Sequence, residues 1–191
     1  MILFENSYNK PIGIATISKF FQEYELNDLN NGLQHIEFED GKTGGKKEIS
    51  KIRDSKIKWI PPSPPWLWLY NKLQTGFIQG NSKFKFDLVH INEFIQYTEY
   101  HSSSQGHYDW HLDLGNDSLS TRKLSMSILL SDPNEFEGGD LEINLGGKIE
   151  KAPREQFGCV VFPSFLLHRV SPVTKGIRKS LVLWVGGSTF K

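Results

Sequence analysis

The chain has 191 residues, 38% of them hydrophobic and 13% aromatic, enough to bury one sizeable core and to make a single structural domain with N-terminal elaboration. Lys plus Arg and Asp plus Glu both number 22, so no global field favours nucleic acid or an anionic membrane. Residues Met1 to Tyr8 show no basic segment leading into an apolar run, and nowhere do eighteen apolar residues stand together, so neither secretion nor membrane insertion is expected. Cys159, the only cysteine, sits in an apolar run as a small buried hydrophobe; it excludes an internal disulfide and fits a reducing, cytoplasmic setting, microbial or viral.

In chain order, Ile14 to Leu26 clusters its apolar positions as a short helix does, and Asn27 to Asn31 with Gly32 supply its termination. Asp40 to Lys47, rich in Gly and Lys, reads as an exposed loop. Its Gly41-Lys42-Thr43 is not a phosphate-binding loop, because position 36 is Ile where that motif requires Gly. Pro61, Pro62, Pro64 and Pro65 cannot lie inside a helix, yet Pro65 can begin one. The spacing of Trp66, Leu69, Leu73 and Phe77 predicts a helix over Trp66 to Phe77, with its aromatic face on a sheet and Trp66 and Trp68 in core packing.

The pattern changes near residue 85. Phe84 to His90, Glu93 to Tyr100, Leu124 to Leu130, Asp140 to Asn144, Cys159 to Phe162 and Lys179 to Val185 read as strands. Between them fall turn sequences: Asp132-Pro133-Asn134, Gly138-Gly139, Gly146-Gly147 and Pro172 to Gly176. The expected architecture is mostly β with N-terminal helices, an α+β chain. Residues 1–84 form an elaboration packed on a barrel or sandwich of short antiparallel strands over residues 85–191.

The chemistry concentrates in that second part. In an extended segment residues i and i+2 share a face, so His111-Leu112-Asp113 can present an imidazole beside a carboxylate, and His168 follows about 55 residues later. Two imidazoles and one carboxylate on one face of an octahedron leave three positions open, the arrangement of non-haem Fe(II) oxygenases. A His-x-Asp alone arises often by chance, so the surrounding sequence carries the weight. After His168 the chain reads as a strand end, a turn over Pro172 to Gly176, and a returning strand. A turn centred near Val173 sets His168 opposite Arg178 on paired strands. Because Leu181, Val182, Leu183 and Trp184 follow, the strand is expected to be buried on both faces, and a guanidinium entering it needs a partner. Such a fork suits the remote carboxylate of a dicarboxylic co-substrate, with Ser180 on the same parity as a further donor and Lys179 facing away. His35, His90, His101 and His107 lack comparable geometry.

Several ordered motifs between Glu99 and Gly187 carry a resemblance to a known family. They are Tyr100 with Gly106, Tyr108 and His111-Leu112-Asp113; Arg122-Lys123-Leu124-Ser125; Asp132-Pro133 and Phe136-Glu137-Gly138-Gly139-Asp140-Leu141; Phe162-Pro163-Ser164; and His168, Pro172-Val173-Thr174, Arg178 and Trp184. Upstream, Arg53-Asp54-Ser55 with Trp59 is similar to the start of some bacterial and phage members. Together they resemble the iron(II)/2-oxoglutarate dioxygenase superfamily, in its prolyl 4-hydroxylase-like branch.

The resemblance implies a double-stranded β-helix, a jelly-roll or cupin-like core. It implies Fe(II) at His111, Asp113 and His168, and 2-oxoglutarate on Arg178 with Ser180 and Tyr100. Tyr108 and Trp184 fall at the substrate entrance. The interval from Tyr100 to His111 is slightly longer than the commonest pattern, so Tyr97 is an alternative to Tyr100. The reaction implied is hydroxylation of a C–H bond with O₂, releasing succinate and CO₂, with ascorbate as a reductant. A protein side chain such as peptidyl proline is the leading substrate class, ahead of small molecules, with nucleic acid last. Two other readings stand beside it: a metal-binding cupin-like barrel with redox-neutral or ligand-binding chemistry, and an interaction module using the aromatics around Pro61 to Trp68. Arg178 separates the first of these from an oxygenase, since a redox-neutral barrel has no need of a buried guanidinium beside its metal.

Overall fold

The computed structural model describes residues 12–41 and 52–189. The strands are β1 (Ala15–Ile17), β2 (Glu39–Asp40), β3 (Arg53–Asp54), β4 (Lys56–Ile60), β5 (Leu88–His90), β6 (Ile95–His101), β7 (His107–His111) and β8 (Arg122–Leu129). They continue with β9 (Glu137–Gly138), β10 (Leu141–Asn144), β11 (Ile149–Lys151), β12 (Cys159–Pro163), β13 (His168–Val170), β14 (Val173–Lys175) and β15 (Ile177–Gly187). Two α-helices accompany them among the described residues, α1 (Glu23–Leu33) and α2 (Leu67–Phe84). Neither is long and apolar enough to cross a membrane.

Among the described residues a major sheet runs β1-β12-β8-β15-β6-β4-β2, with β5 joined to β15, and a minor sheet runs β11-β10-β13-β7-β3; β14 and β9 form a separate pair. All these pairings are antiparallel. The result is the mostly β, double-stranded β-helix architecture.

Period-two alternation in the major sheet divides its faces by chemistry. Leu124, Met126 and Ile128 of β8, Cys159 and Val161 of β12, and Leu181, Leu183 and Val185 of β15 meet Leu69, Leu73, Phe77 and Phe84 of α2 in one apolar core. Each such side chain, fully buried, contributes roughly 1.5–3 kcal/mol. Among the alternate residues, Gln96, Ser127, Arg178 and Ser180 line the cavity between the sheets. Val160 and Phe162 of β12 join Leu141, Ile143, Leu166, Val170 and Val173 in a second apolar cluster. Close contact of α2 with the sheet depends on glycine: a Cβ on Gly80 would stand 2.8 Å from Val161 Cβ.

Several local expectations shift. The helix expected over Ile14 to Leu26 begins at Glu23. Ala15 to Ile17 is recruited instead as an edge strand, with Ala15 opposite Val161, and Lys19 turns the chain with φ 49. Asn27 to Asn31 therefore lies inside α1 rather than ending it. Glu25, in the first turn, accepts the Gln22 backbone N–H at 2.8 Å and pairs with Lys72 of α2 at 2.8 Å.

The second helix runs past Phe77 to Phe84, so the strand expected from Phe84 starts only at Leu88. Lys85 takes a left-handed conformation there, and the Asn81 amide bonds both the N–H and the C=O of Phe86, closing the helix. Trp66 and Trp68 pack in the core as expected, Trp68 with its ring 6.1 Å from Phe21. Of the expected loop, Asp40 and Gly41 are described, with Asp40 closing β2, and residues 42–47 lie outside the described residues.

The largest correction concerns the end of the chain. His168 and Arg178 are not on paired strands: β13 pairs with β7 and β10 in the minor sheet, β14 pairs with β9, and β15 enters the major sheet beside β6 and β8. Pro172 to Gly176 therefore carries the chain from one sheet to the other. Gly138 permits this crossing, since at φ 72 a Cβ there would lie 2.1 Å from Pro172 O. His168 and Arg178 still meet, across the cavity rather than across a hairpin.

Candidate active site

The sheets enclose a cavity of about 330 Å³ into which His111, Asp113, His168, Tyr100, Arg178 and Ser180 all project. His111 ends β7 and His168 begins β13, directly opposite in register. Asp113 lies two residues beyond β7, where its N–H and that of Leu114 donate to Ser164 O at 3.1 and 3.0 Å. Asp113 Oδ1 is 3.7 Å from His111 Nε2 and Oδ2 is 3.3 Å from His168 Nε2. One ligand atom from each residue lies within 4.8 Å of the others, the one such cluster of His, Cys, Asp and Glu among the described residues.

Backbone carbonyls fix which imidazole nitrogen faces the centre. His111 Nδ1 donates to Asp109 O at 2.8 Å and His168 Nδ1 to Leu166 O at 2.9 Å, leaving both Nε2 atoms for the cavity. Tyr108 stacks on His111 with centroids 3.5 Å apart, and Phe162 meets His168 edge-on.

Charge in the cluster follows from burial and neighbours. Burial, then repulsion from His168, lowers the His111 pKa to about 4, so the imidazole is neutral. Burial opposes ionisation of Asp113, but the nearby His168 and His111 and the Ser125 hydroxyl together hold its carboxyl well below the usual range. Burial pushes His168 down, and attraction to Asp113 outweighs it and raises the net value. Two imidazoles beside an ionised carboxylate form a donor set suited to a divalent cation with open positions, and the residues fit Fe(II).

Arg178 is 4% exposed. Nη1 donates to Ser180 Oγ at 2.9 Å and the guanidinium sits 5.7 Å from the Tyr100 ring centre. No carboxylate among the described residues forms an ion pair with it; burial pushes its pKa down, against the attraction of Tyr100 and Asp140. A cation so enclosed is unfavourable until an anion arrives. Tyr100, opposite Arg178 in register, lines this end of the cavity. Tyr97 faces the other side of the sheet and donates to Glu99 Oε1 at 2.7 Å, so the alternative to Tyr100 does not reach the cavity. His107 begins β7, bonded to Gln105 O, and is not part of the cluster.

Tyr108 and Trp184, expected at the substrate entrance, line the cavity together with two arginines, Arg53 and Arg122, that sequence reasoning did not place in the site. Burial is the main reason the Tyr108 hydroxyl is pushed up to about 12. Arg122 forks onto Glu93, donates to Asp113 O at 3.0 Å and lies 4.0 Å over Trp184. Arg53 donates to Ser55 Oγ at 2.8 Å and stacks 4.6 Å over Tyr108, leaving Nη2 buried without a partner among the described residues; Trp184 Nε1 is likewise buried and unpaired among them. The motif Arg53-Asp54-Ser55 was the available signal for Arg53. For Arg122 it was the charge opening a strand of buried residues.

A profile of the 2OG-Fe(II) oxygenase superfamily matches residues 95–186. The chain is 32% identical over 181 residues to a PKHD-type hydroxylase of Synechococcus elongatus, covering 90% of this chain and 78% of that one. In fold it is similar to a prolyl hydroxylase from Trichoplax adhaerens, solved with a hypoxia inducible factor peptide fragment. The TM-score is 0.73 at 19% identity, over 91% of this chain and 83% of that one. A viral collagen prolyl hydroxylase from Paramecium Bursaria Chlorella virus-1, solved as a 2OG complex, aligns with a TM-score of 0.65 at 20% identity, over 92% and 96% of the two chains. With the His-Asp-His cluster and the fold, these likenesses make the chain a member of the 2OG-Fe(II) oxygenase superfamily, prolyl 4-hydroxylase-like, and a hydroxylase dependent on Fe(II) and 2-oxoglutarate.

Proposed function

We propose that His111, Asp113 and His168 hold the Fe(II), that Arg178 with Ser180 and Tyr100 receives the far carboxylate of 2-oxoglutarate, and that the substrate is a peptidyl side chain, proline foremost. The observation that carries this reading is the buried Arg178, without a carboxylate ion pair among the described residues, lining one cavity with the His-Asp-His cluster. The chemistry iron supplies when bound is the coupling of oxidative decarboxylation of 2-oxoglutarate, by O₂, to hydroxylation of a substrate C–H bond.

The chain's own residues bind, orient and enclose. Asp109 O and Leu166 O accept from Nδ1 of His111 and His168 and so aim both Nε2 atoms inward. Arg178 neutralises the co-substrate's remote carboxylate with two parallel donors and stays charged throughout. Phe162, Leu141 and Val170 close the walls and limit water at the reacting centre.

Support for a peptide comes from the cavity lining. Arg53 Nη2 and Trp184 Nε1 are buried donors without acceptors among the described residues, and both residues line the cavity. An extended peptide brings an amide carbonyl at each residue and so acceptors for both, whereas free proline brings a single carboxylate. The relatives named above are PKHD-type and prolyl hydroxylases, in keeping with this class. The test is succinate release with Fe(II), 2-oxoglutarate and a proline-containing peptide, with mass spectrometry of the peptide. Gain of one oxygen atom on proline, and no comparable turnover of free proline, is expected. Turnover of the free amino acid alone would overturn the peptide reading.

A further inference from the structure

We infer that Ser125 and Ser164 are positioning residues that hold the Asp113 carboxylate in its pose between the two histidines, through a directed pair of hydroxyl hydrogen bonds; this rests on the ligand assignment proposed above. Ser125 Oγ donates to Asp113 Oδ2 at 2.6 Å and lies 3.0 Å from Ser164 Oγ. A hydroxyl has one proton. Because that of Ser125 is committed to the carboxylate, Ser164 must be the donor between the two serines. The chain therefore runs from Ser164 to Ser125 to Asp113 Oδ2, with each hydroxyl polarising the next.

Both serines are fully buried, so water does not compete for these groups. Ser125 stands opposite Phe162 on β12 and Trp184 on β15, which fixes its direction on both sides. Ser164, just past β12, acts on Asp113 twice, since its carbonyl also accepts the N–H groups of Asp113 and Leu114. Thus one residue sets the backbone of residue 113 and, through Ser125, the plane of its side chain. The Ser125 bond thereby fixes the carboxylate with Oδ1 3.7 Å from His111 Nε2 and Oδ2 3.3 Å from His168 Nε2. Without the hydroxyl the carboxylate is free to rotate out of that pose.

The test is anaerobic titration of the apo protein with Fe(II), read by calorimetry, on wild type, Ser125→Ala, Ser125→Thr and Ser164→Ala, with apo melting temperatures measured in parallel. Ser125→Ala is expected to weaken Fe(II) binding about tenfold, as loss of such supporting bonds does. Ser125→Thr keeps the hydroxyl and should restore most of the affinity, and Ser164→Ala should show a smaller loss. An effect on fold alone would move the melting temperature and leave the affinity of the folded fraction unchanged. Wild-type affinity in Ser125→Ala, or, should that variant not fold, wild-type affinity in Ser164→Ala, would overturn the positioning role. Absence of Fe(II) binding by the folded wild type would overturn the ligand assignment, and the role with it.

Discussion

Arg178 sits where a fold built for stability alone would place a hydrocarbon. Its guanidinium is buried with Ser180 as its hydrogen-bond partner and no carboxylate paired to it among the described residues. Replacing such a group by an apolar side chain of similar volume is neutral or stabilising by about 1–4 kcal/mol. Arg178→Met is therefore expected to unfold at equal or higher denaturant concentration than wild type, while its 2-oxoglutarate KM rises at least about tenfold, a loss near 1.4 kcal/mol. Denaturant curves and succinate assays on the same preparation check both halves. A variant that is less stable with unchanged KM would contradict the account. The two tyrosines give a second comparison at this scale. Tyr100→Phe should raise the 2-oxoglutarate KM, whereas Tyr97→Phe, whose hydroxyl faces Glu99 on the opposite side of the sheet, should not. Equal effects in steady-state assays would mean that the face assignment is wrong.

At the scale of elements, α2 must lie close to β12, and Gly80 marks the contact. Alanine ordinarily favours a helix over glycine by about 1 kcal/mol. Here its Cβ would meet Val161 at 2.8 Å, so Gly80→Ala is expected to destabilise by about 1–3 kcal/mol, seen as a lower denaturation midpoint. β8 was legible because its alternation of Leu124, Ser125, Met126, Ser127 and Ile128 is sorted by the pleat whatever the partner strand, and β12 because it is a short apolar run between turn signals. The grouping of His111, Asp113, His168 and Arg178 in one cavity was legible from residue type and the order of motifs, although not by the strand pairing expected for His168 and Arg178. Long-range pairing was not. Nothing local distinguishes a hairpin over Pro172 to Gly176 from a segment that changes sheets, because both need the same turn residues. Likewise Ala15 to Ile17 carries no signal for strand until Val161 offers it an edge. The serines behind Asp113 and the two arginines lining the cavity acquire meaning only from contacts between elements distant in sequence.

Over the whole molecule, the two sheets meet at a centre whose charges await ligands, so binding and folding are linked. Ligands at about a hundred times their dissociation constant stabilise the folded state by about 2.7 kcal/mol. For a chain of this size that corresponds to a rise of roughly 5–10 °C in melting temperature. Fe(II) with 2-oxoglutarate under anaerobic conditions should produce such a rise in wild type, and 2-oxoglutarate should add markedly less in Arg178→Met; scanning calorimetry reads both. Cys159 lies in the apolar core, where burial pushes its thiol pKa far up, and it should resist alkylation in the folded protein until global unfolding exposes it. The central claim is that iron and 2-oxoglutarate meet at His111, Asp113, His168 and Arg178, and one measurement addresses it most directly. Anaerobic addition of Fe(II) and 2-oxoglutarate is followed in the visible region for the metal-to-ligand charge-transfer band. A band that requires both additions, weakens in Arg178→Ala and bleaches with O₂ as succinate appears is the predicted result. A folded, iron-loaded protein that gives no band, or gives the same band in Arg178→Ala, would contradict it.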